Sequence, residues 1–253
     1  MGYKGRDVEV VMLENGHCLV GACDSCGAVG EKDLDQVSAP ARLVGRFTAR
    51  VALMEVIAVG ARPRIMTVGI ASEPDPTGSE ILSGVRKELE WAGFPDLALA
   101  VSTEKNFTPG QTGLGIGVTG TCMETDLRLA GSQPGDNVYV LGLPLVGDEV
   151  AMAPESAILS AAHILSLLNT PGIHDVVPVG SRGILAEARD LAIHTGTFFI
   201  PATNSIPDLL KPGGPSTCAV FTTEPSYSPA TESDALMQGL PLLPIGRLAL
   251  SKN

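Results

Sequence analysis

Three acidic residues occupy positions where an acidic side chain should be costly. Asp24 ends the apolar run 17–23, Glu104 follows the apolar run 97–101, and Glu55 has four apolar residues on each side. A helix that is apolar all round is largely buried. A buried carboxylate without a partner costs several kcal/mol, so these acids need either a basic partner or a bound cation.

Two interpretations of these acids remain open from the residues alone. Glu55 can form an ion pair with Arg62, Arg64 or another nearby arginine, and Asp24 and Glu104 can cap the turns after their strands. Alternatively, all three acids lie close together around one bound cation. Two carboxylates about 4 Å apart repel by roughly 4 kcal/mol at an effective dielectric of ~20. A divalent cation bound between them makes the net interaction attractive. Oxygen-only ligands favour magnesium, held jointly with nucleotide phosphates.

A glycine-rich segment, Gly27 to Gly30, follows Asp24 and leads to Lys32. Glycines let backbone N–H groups approach a phosphate, and a lysine supplies positive charge. The segment lacks the glycine and Lys-Ser/Thr spacing of a P-loop, so it is either a phosphate-contacting loop or an ordinary one. The pattern Gly-x-Gly-x-x-Gly at 115–120 is not followed by a helix, which favours close strand packing over dinucleotide binding.

The elements that must position these residues mix hairpin-like strands with βα units, which predicts an α+β fold. Asn15-Gly16 predicts a hairpin turn, and residues 24–35 read as a loop. Ser38 and Pro40 predict a helix that ends at Gly60.

Further along, Thr77-x-x-Glu80 predicts a capping box before the next helix. A helix is also predicted over residues 154–168. A turn at 133–136 predicts two domains, 1–132 and 133–253.

Composition narrows the function classes. The chain of 253 residues has 28 acidic and 17 basic residues, a net charge of −11, which argues against binding nucleic acid or an anionic membrane. No apolar run is long enough for a membrane span, and the first residues lack the apolar core of a signal peptide. Five cysteines fit reduced thiols. We therefore expect a cytoplasmic protein.

An ordered set of motifs resembles a known superfamily. Residues 24–30 and 42–63 resemble the Asp-Gly-Val-Gly and Asn-Asp-helix-Gly-Ala-x-Pro elements of aminoimidazole ribonucleotide (AIR) synthetases, and 102–105 falls where that family has Gly-Gly-Glu/Asp-Thr. Residues 176–185 and 241–248 resemble segments of thiamine-monophosphate kinases. Within the superfamily, the first and third of these segments look most like α-ribazole kinases, which salvage the lower-ligand nucleoside of cobamides.

This resemblance implies a two-lobed AIR-synthase-like (PurM-like) fold, a homodimer formed through the N-terminal strands, and binding of ATP and Mg²⁺. It makes 1–132 the ATP- and magnesium-binding domain and 133–253 a shortened α/β domain. It also implies roles for particular residues: metal ligands Asp24, Glu55 and Glu104; nucleotide contacts Gly27, Gly30, Lys32, Ser102, Thr103 and Lys105; and second-substrate contacts Ser181 and Arg182.

The chain departs from the family pattern at several of these positions. Met54 and Glu55 replace Asn-Asp, Ser102-Thr103 replace Gly-Gly, and Arg182 replaces an Asp of thiamine-monophosphate kinases. We expect an ATP-dependent kinase for a small-molecule hydroxyl, with α-ribazole as the first candidate.

The catalytic base is expected to be Asp148 or Glu104. Three alternatives remain: a kinase like the thiamine-monophosphate enzymes, an AIR-synthase-like ATP-dependent cyclising enzyme, and a nucleotide-binding regulatory protein that has lost catalysis.

Overall fold

The computed structural model describes residues 2–203, 208–227 and 239–250. The chain forms two compact units that interleave in sequence. The N-terminal unit contains Asp7–Val56 and Ala61–Thr125. The C-terminal unit contains the first residues up to Arg6, the short segment Ile57–Gly60, and the chain from Asp126 onward.

The N-terminal unit is built on a five-stranded sheet of order β1-β2-β7-β5-β6, in which only β5 and β6 are parallel. A short parallel pair, β3 and β4, lies outside it. The elements are β1 Glu9–Met12, β2 His17–Gly27, β3 Val29–Gly30, β4 Val37–Ser38, α1 Ala41–Ala58, β5 Arg62–Ile70, α2 Ser79–Trp91, β6 Ala98–Thr103 and β7 Gly113–Met123.

One face of this sheet is buried and the other is exposed. Along β2, Cys18, Val20 and Ala22 are buried while the residues between them are not, as expected for a period of two. Helix α1 packs on the buried face, because a Cβ on Gly120 of β7 would lie 2.6 Å from a methyl group of Val56. The face toward α1 therefore holds the core of the unit.

Helices α1 and α2 approach each other closely through glycine. A Cβ on Gly84 of α2 would lie 1.9 Å from the carbonyl oxygen of Arg42 in α1. This contact brings Glu88 of α2 to Arg50 of α1, and the two side chains form a buried ion pair with Nε–Oε1 at 2.7 Å and Nη2–Oε2 at 2.8 Å. Arg46 adds a second cation, with its Nε 3.6 Å from Glu88 Oε2.

The C-terminal unit has a second five-stranded sheet of order β10-β12-β8-β11-β9, antiparallel throughout. Its core joins apolar residues of the sheet to helix α5. The elements are β8 Asn137–Gly142, α3 Asp148–Met152, α4 Ala161–Leu168, β9 Ile173–Pro178, α5 Ile184–His194, β10 Thr197–Pro201, β11 Cys218–Thr223 and β12 Leu242–Leu250.

The α+β class expected from the sequence is confirmed, but several local predictions were wrong. Strand β2 continues to Gly27, so Asp24 lies inside a strand and not in a loop. The Thr77 hydroxyl donates to Glu73 and does not cap α2, whose N-cap is Gly78. The helix predicted over 154–168 is a 3₁₀ turn, Glu155–Ala157, followed by the shorter α4.

The glycines at 115–120 lie within β7, in agreement with the strand-packing interpretation. Among the described residues, no helix is both long enough and apolar enough to cross a membrane.

Candidate functional site

The C-terminal ends of three strands, β2, β5 and β6, lie at the same end of the N-terminal sheet. Gly27 at the end of β2 is paired with Gly113, and Leu114 is paired with Ile70 at the end of β5. Ile70 is in turn paired with Thr103 at the end of β6. The segments that follow these strands therefore leave the sheet side by side. We refer to residues Gly27–Lys32, Glu73 and Glu104 as the sheet-end site.

The glycine-rich loop of this site is held by its own side chains. One carboxylate oxygen of Asp35 accepts from the backbone N–H of Thr112 (2.8 Å) and the other from that of Lys32 (2.9 Å). Desolvation alone would raise the pKa of Asp35, but these hydrogen bonds lower it. A Cβ on Gly30 would lie 2.2 Å from the Thr112 hydroxyl, so the packing of the loop itself requires this glycine.

Lys32, predicted to contact phosphate, forms an ion pair with Glu73. Its Nζ lies 2.5 Å from Glu73 Oε2, and both side chains are mostly buried. Desolvation would raise the pKa of Glu73, but hydrogen bonds from Lys32 and Thr77 outweigh it and lower the pKa to about 2. Lys32 is therefore fixed at the sheet end by a carboxylate that stays ionised near neutral pH.

Glu104 caps the turn that follows β6, as one of the two interpretations predicted. Its Oε1 accepts from the backbone N–H groups of Asn106 (2.6 Å) and Phe107 (3.3 Å), which lowers the pKa of the carboxyl. Its own N–H donates to Ser72 (3.0 Å), the residue before Glu73. The backbone thus brings Glu104 next to the segment that holds Lys32.

Asp24 and Glu55 lie elsewhere in the same unit. Asp24 is half-buried and paired with Ile116, and desolvation raises its pKa to about 6, with an opposing hydrogen bond from the Ser25 backbone. Glu55 is buried on α1, beside Val56. Because Val56 packs at Gly120, Glu55 belongs to a part of α1 well away from the sheet end.

The predicted convergence of Asp24, Glu55 and Glu104 on one ion is therefore not present within one chain. Asp24 on β2 and Glu104 after β6 are separated by two strands, or roughly 14 Å along the sheet at about 4.8 Å per strand. The described residues contain no group of three His, Cys, Asp or Glu side chains placed to hold a metal ion. Magnesium usually keeps several waters and takes only one or two protein carboxylates, so single acids here remain suitable ligands.

The remaining predicted nucleotide contacts lie on or beside β6. Ser102 is exposed and Thr103 is half-buried, with its methyl group facing Gly78. Lys105 is exposed in the turn capped by Glu104. Thr103 and Lys105 therefore flank Glu104 at the edge of the sheet.

The residues predicted for the second substrate and for the catalytic base lie in the C-terminal unit. Asp148 is exposed at the first turn of α3, and Ser181 is exposed in the turn after β9. Arg182 forms ion pairs with Asp190 (2.5 Å) and Glu187 (3.1 Å) of α5. Its guanidinium is thus already bound by two acids of its own unit.

Sequence reasoning did not identify Glu73, Asp35 or Thr112 as parts of this site. Glu73 lies in the segment Ser-Glu-Pro-Asp-Pro, which has the composition of a plain turn. The available signal was its position three residues after β5, which is comparable to the position of Glu104 after β6. Strand pairing, which brings these two ends together, is not visible in the sequence.

Comparison with known proteins agrees with this architecture. Residues 5–121 match the family model described as "AIR synthase related protein, N-terminal domain". The chain has an AIR-synthase-like fold. No curated protein matches the sequence.

Three solved structures illustrate the fold similarity. Thiamine-monophosphate kinase from Stenotrophomonas maltophilia is 19% identical with a TM-score of 0.64, covering 98% of this chain and 90% of that one. The thiamine monophosphate kinase of Aquifex aeolicus is 15% identical with a TM-score of 0.66, covering 96% and 88%. The hydrogenase maturation protein HypE of E. coli is 16% identical with a TM-score of 0.69, covering 93% and 81%.

Proposed function

We propose that this protein is an ATP- and magnesium-dependent kinase that phosphorylates a hydroxyl group of a small molecule. The observation that carries the proposal is the sheet-end site, which gathers a glycine-rich loop, a lysine and an acid in a segment that matches the AIR synthase-related domain. A similar structure, AaThiL complexed with AMPPCP and TMP, supports nucleotide binding by this fold.

The proposed chemistry is mainly positioning and charge neutralisation. Lys32 neutralises phosphate charge when a nucleotide draws it from Glu73, and the backbone of Gly27–Gly30 approaches the phosphates. Magnesium, when bound, would neutralise negative charge on the phosphates. Glu104 holds that cation, because its carboxyl stays ionised beside Lys105 and the turn N–H groups fix its orientation.

Asp24 and Glu55 remain proposed as further metal ligands, each separate from Glu104. Both assignments rest on the motif resemblance, and for Asp24 a cation would also offset the desolvation that raises the pKa of its carboxyl. Asp148 and Glu104 both remain candidates for the catalytic base. Ser102 and Thr103 are proposed nucleotide contacts, and Ser181 and Arg182 contact the acceptor.

Two lines of support, motif resemblance and structural similarity, suggest different acceptor molecules. The motif resemblance favours α-ribazole, converted to its 5′-phosphate in cobamide salvage. The two similar kinases favour thiamine monophosphate as the second candidate. The deciding experiment is incubation with ATP, Mg²⁺ and each acceptor, followed by mass detection of ADP and of a product heavier by one phosphoryl group.

The outcomes of that experiment separate the alternatives. ADP with a phosphorylated acceptor supports the kinase. ADP with a cyclised or dehydrated product supports an AIR-synthase-like enzyme. ATP binding without ADP formation supports a regulatory protein and overturns the kinase proposal, as does the absence of ATP binding.

Glu104→Gln is the variant with the largest expected effect on turnover. Removing the carboxylate that holds the cation should lower kcat by about 100-fold or more, in the range measured for other electrostatic groups in active sites. Glu90→Gln is the matched control, because Glu90 is an exposed acid of the same unit paired with Lys87. Equal turnover in the two variants would remove Glu104 from the site.

We also propose a homodimer formed through the exposed face of the N-terminal sheet. That face carries Val11, Leu19 and Ile65, each more than a third exposed, between glycines and threonines of β7. An apolar sheet face of this kind is typical of an interaction surface. The face is continuous across β1, β2, β7 and β5, as an isologous interface would require.

Leu19→Lys tests this dimer. The substitution places a charge at the centre of the face, and light scattering after size exclusion should then report the monomer mass. Met152→Lys is the control, because Met152 is an exposed methionine of the C-terminal unit and should leave the mass unchanged. A wild-type chain that runs as a monomer at all concentrations would contradict the proposal.

A further inference from the structure

Arg6, a buried arginine of the C-terminal unit, forms no ion pair with any residue that the structure describes. Arg6 is 4% exposed, and its Nη2 donates to the carbonyl of Val176 (2.6 Å). Its Nε and Nη1 atoms are buried and have no hydrogen-bond partner in the part of the chain that the structure describes. A guanidinium carries five N–H donors and cannot lose its proton, so this arrangement is costly unless an anion completes it.

Arg6 lines a crevice whose mouth is open to solvent. The crevice encloses about 270 Å³, including solvent at its mouth, and its enclosed part is only large enough for a water-sized group. Lys4 and His194 also line it, so its lining contains two cationic side chains and one imidazole ring. The enclosed part therefore admits one oxygen atom of an anion beside Arg6, with the rest of the anion at the open mouth, and it is too small for a whole nucleotide.

The two acids at this crevice are already bound by another arginine. Asp190 and Glu187 both line the crevice, and Arg182 pairs with Asp190 at 2.5 Å and with Glu187 at 3.1 Å. Neither carboxylate forms an ion pair with Arg6. Arg182 therefore offsets much of the negative charge of these two acids. The guanidinium of Arg6 is not neutralised by an ion pair with either acid and can attract an anion into the crevice.

The N-terminal turn that carries Arg6 is fitted to α5. Gly5 has φ of +75°, and a Cβ there would lie 2.4 Å from the ring nitrogen Nε2 of His194. Only glycine combines this conformation with this close approach. The backbone thus holds Arg6 and Lys4 against the end of α5, as a preformed site requires.

We propose that this crevice is a binding site for a compact oxyanion, a phosphate or carboxylate group, which Arg6 binds with its unused N–H donors. Lys4 adds positive charge to the lining of the crevice, and His194 adds a ring nitrogen. Arg6, Lys4 and His194 belong neither to the sheet-end site nor to the proposed acceptor contacts Ser181 and Arg182, so the proposal goes beyond the proposed kinase function. A free anion and the anionic group of a small metabolite would be recognised through the same chemistry.

The test is the melting temperature of the full chain with sodium phosphate, sodium acetate or sodium chloride at constant ionic strength. A ligand that binds only the folded state raises the melting temperature in proportion to its occupancy. We expect a saturable rise with phosphate or acetate and none with chloride. An equal rise with chloride would overturn the proposal.

Variants locate the effect. Arg6→Gln should abolish the rise, and Lys4→Gln, at an exposed position that leaves folding intact, should weaken phosphate binding several-fold. Arg182→Gln should weaken it as well, because Glu187 and Asp190 would then repel the anion. Wild-type phosphate affinity in both Lys4→Gln and Arg182→Gln, measured by calorimetry, would overturn the proposal even if Arg6→Gln does not fold.

A second control separates this site from the proposed nucleotide site. Phosphate binding at the crevice should persist in Lys32→Gln and in the presence of saturating ATP. Loss of phosphate binding under either condition would assign the effect to the sheet-end site and contradict the crevice proposal. Failure of the kinase assay, by contrast, leaves the crevice result unchanged.

Discussion

Two buried arginines, one in each unit, have very different surroundings. Arg50 is 2% exposed and forms a two-pronged ion pair with Glu88 across the contact between α1 and α2. Arg6 is 4% exposed and has one carbonyl as its partner. Burial alone therefore does not mark a binding site. The presence of an acidic partner distinguishes the two cases. A buried arginine that is paired with an acid stabilises the fold, whereas one without such a partner can bind an anionic ligand.

The largest effect that this comparison predicts is the loss of stability in Arg50→Met. The substitution removes this partner of the buried Glu88 carboxylate and leaves Arg46, whose Nε lies 3.6 Å from Glu88 Oε2. We expect the free energy of unfolding to fall by about 3–5 kcal/mol, the usual cost of breaking a buried pair. Urea denaturation measures it, and a loss below about 1 kcal/mol would break the comparison.

A smaller effect is expected at the Lys32–Glu73 pair, which is intermediate in burial. Glu73→Gln should lower the free energy of unfolding at pH 7 by on the order of 1 kcal/mol. The folded pKa of Glu73, about 2, lies below its ordinary value of 4.5. The pair therefore stabilises fully above about pH 4.5, and its contribution is lost as the pH falls from there toward 2.

Denaturation of the wild type and of Glu73→Gln at several pH values checks this assignment. The difference between the two proteins should be constant from pH 7 to about pH 5 and should shrink at lower pH. A difference that grows on acidification would contradict the assigned pKa direction.

The smallest effect is expected for Arg6→Met without added anion. The substitution removes a buried cation that has no carboxylate partner and keeps an apolar stem of similar length. Its free energy of unfolding should lie within about 1 kcal/mol of the wild type. A loss as large as that of Arg50→Met would show that Arg6 is a structural residue and that the two arginines do not differ as described.

The sequence predicted the elements better than it predicted the contacts between them. Helix α1 was identifiable because Pro40 and Gly60 bracket an apolar run. The extension of β2 through Asp24 was missed because Asp, Ser and Gly suggest a loop, whereas pairing with β7 overrides that local preference.

Pairs of side chains from distant parts of the chain were not predicted. Glu88 is buried on α2 with Ile81 and Val85, and its partner Arg50 lies 38 residues away. The capping role of Glu104 was predictable because its partners are two and three residues further on. Side chains with distant partners, such as Lys32 with Glu73, became visible only in the fold.

The interleaving of the two units affects the order in which the protein can assemble during synthesis. Val176, whose carbonyl accepts the hydrogen bond from Arg6, is translated 170 residues after Arg6. At about 5–20 residues per second, Arg6 waits roughly 10–30 s for that partner to be translated. During that interval residues 7–125 can already fold, while the first turn of the chain stays hydrated and accessible to any protein that meets the nascent chain.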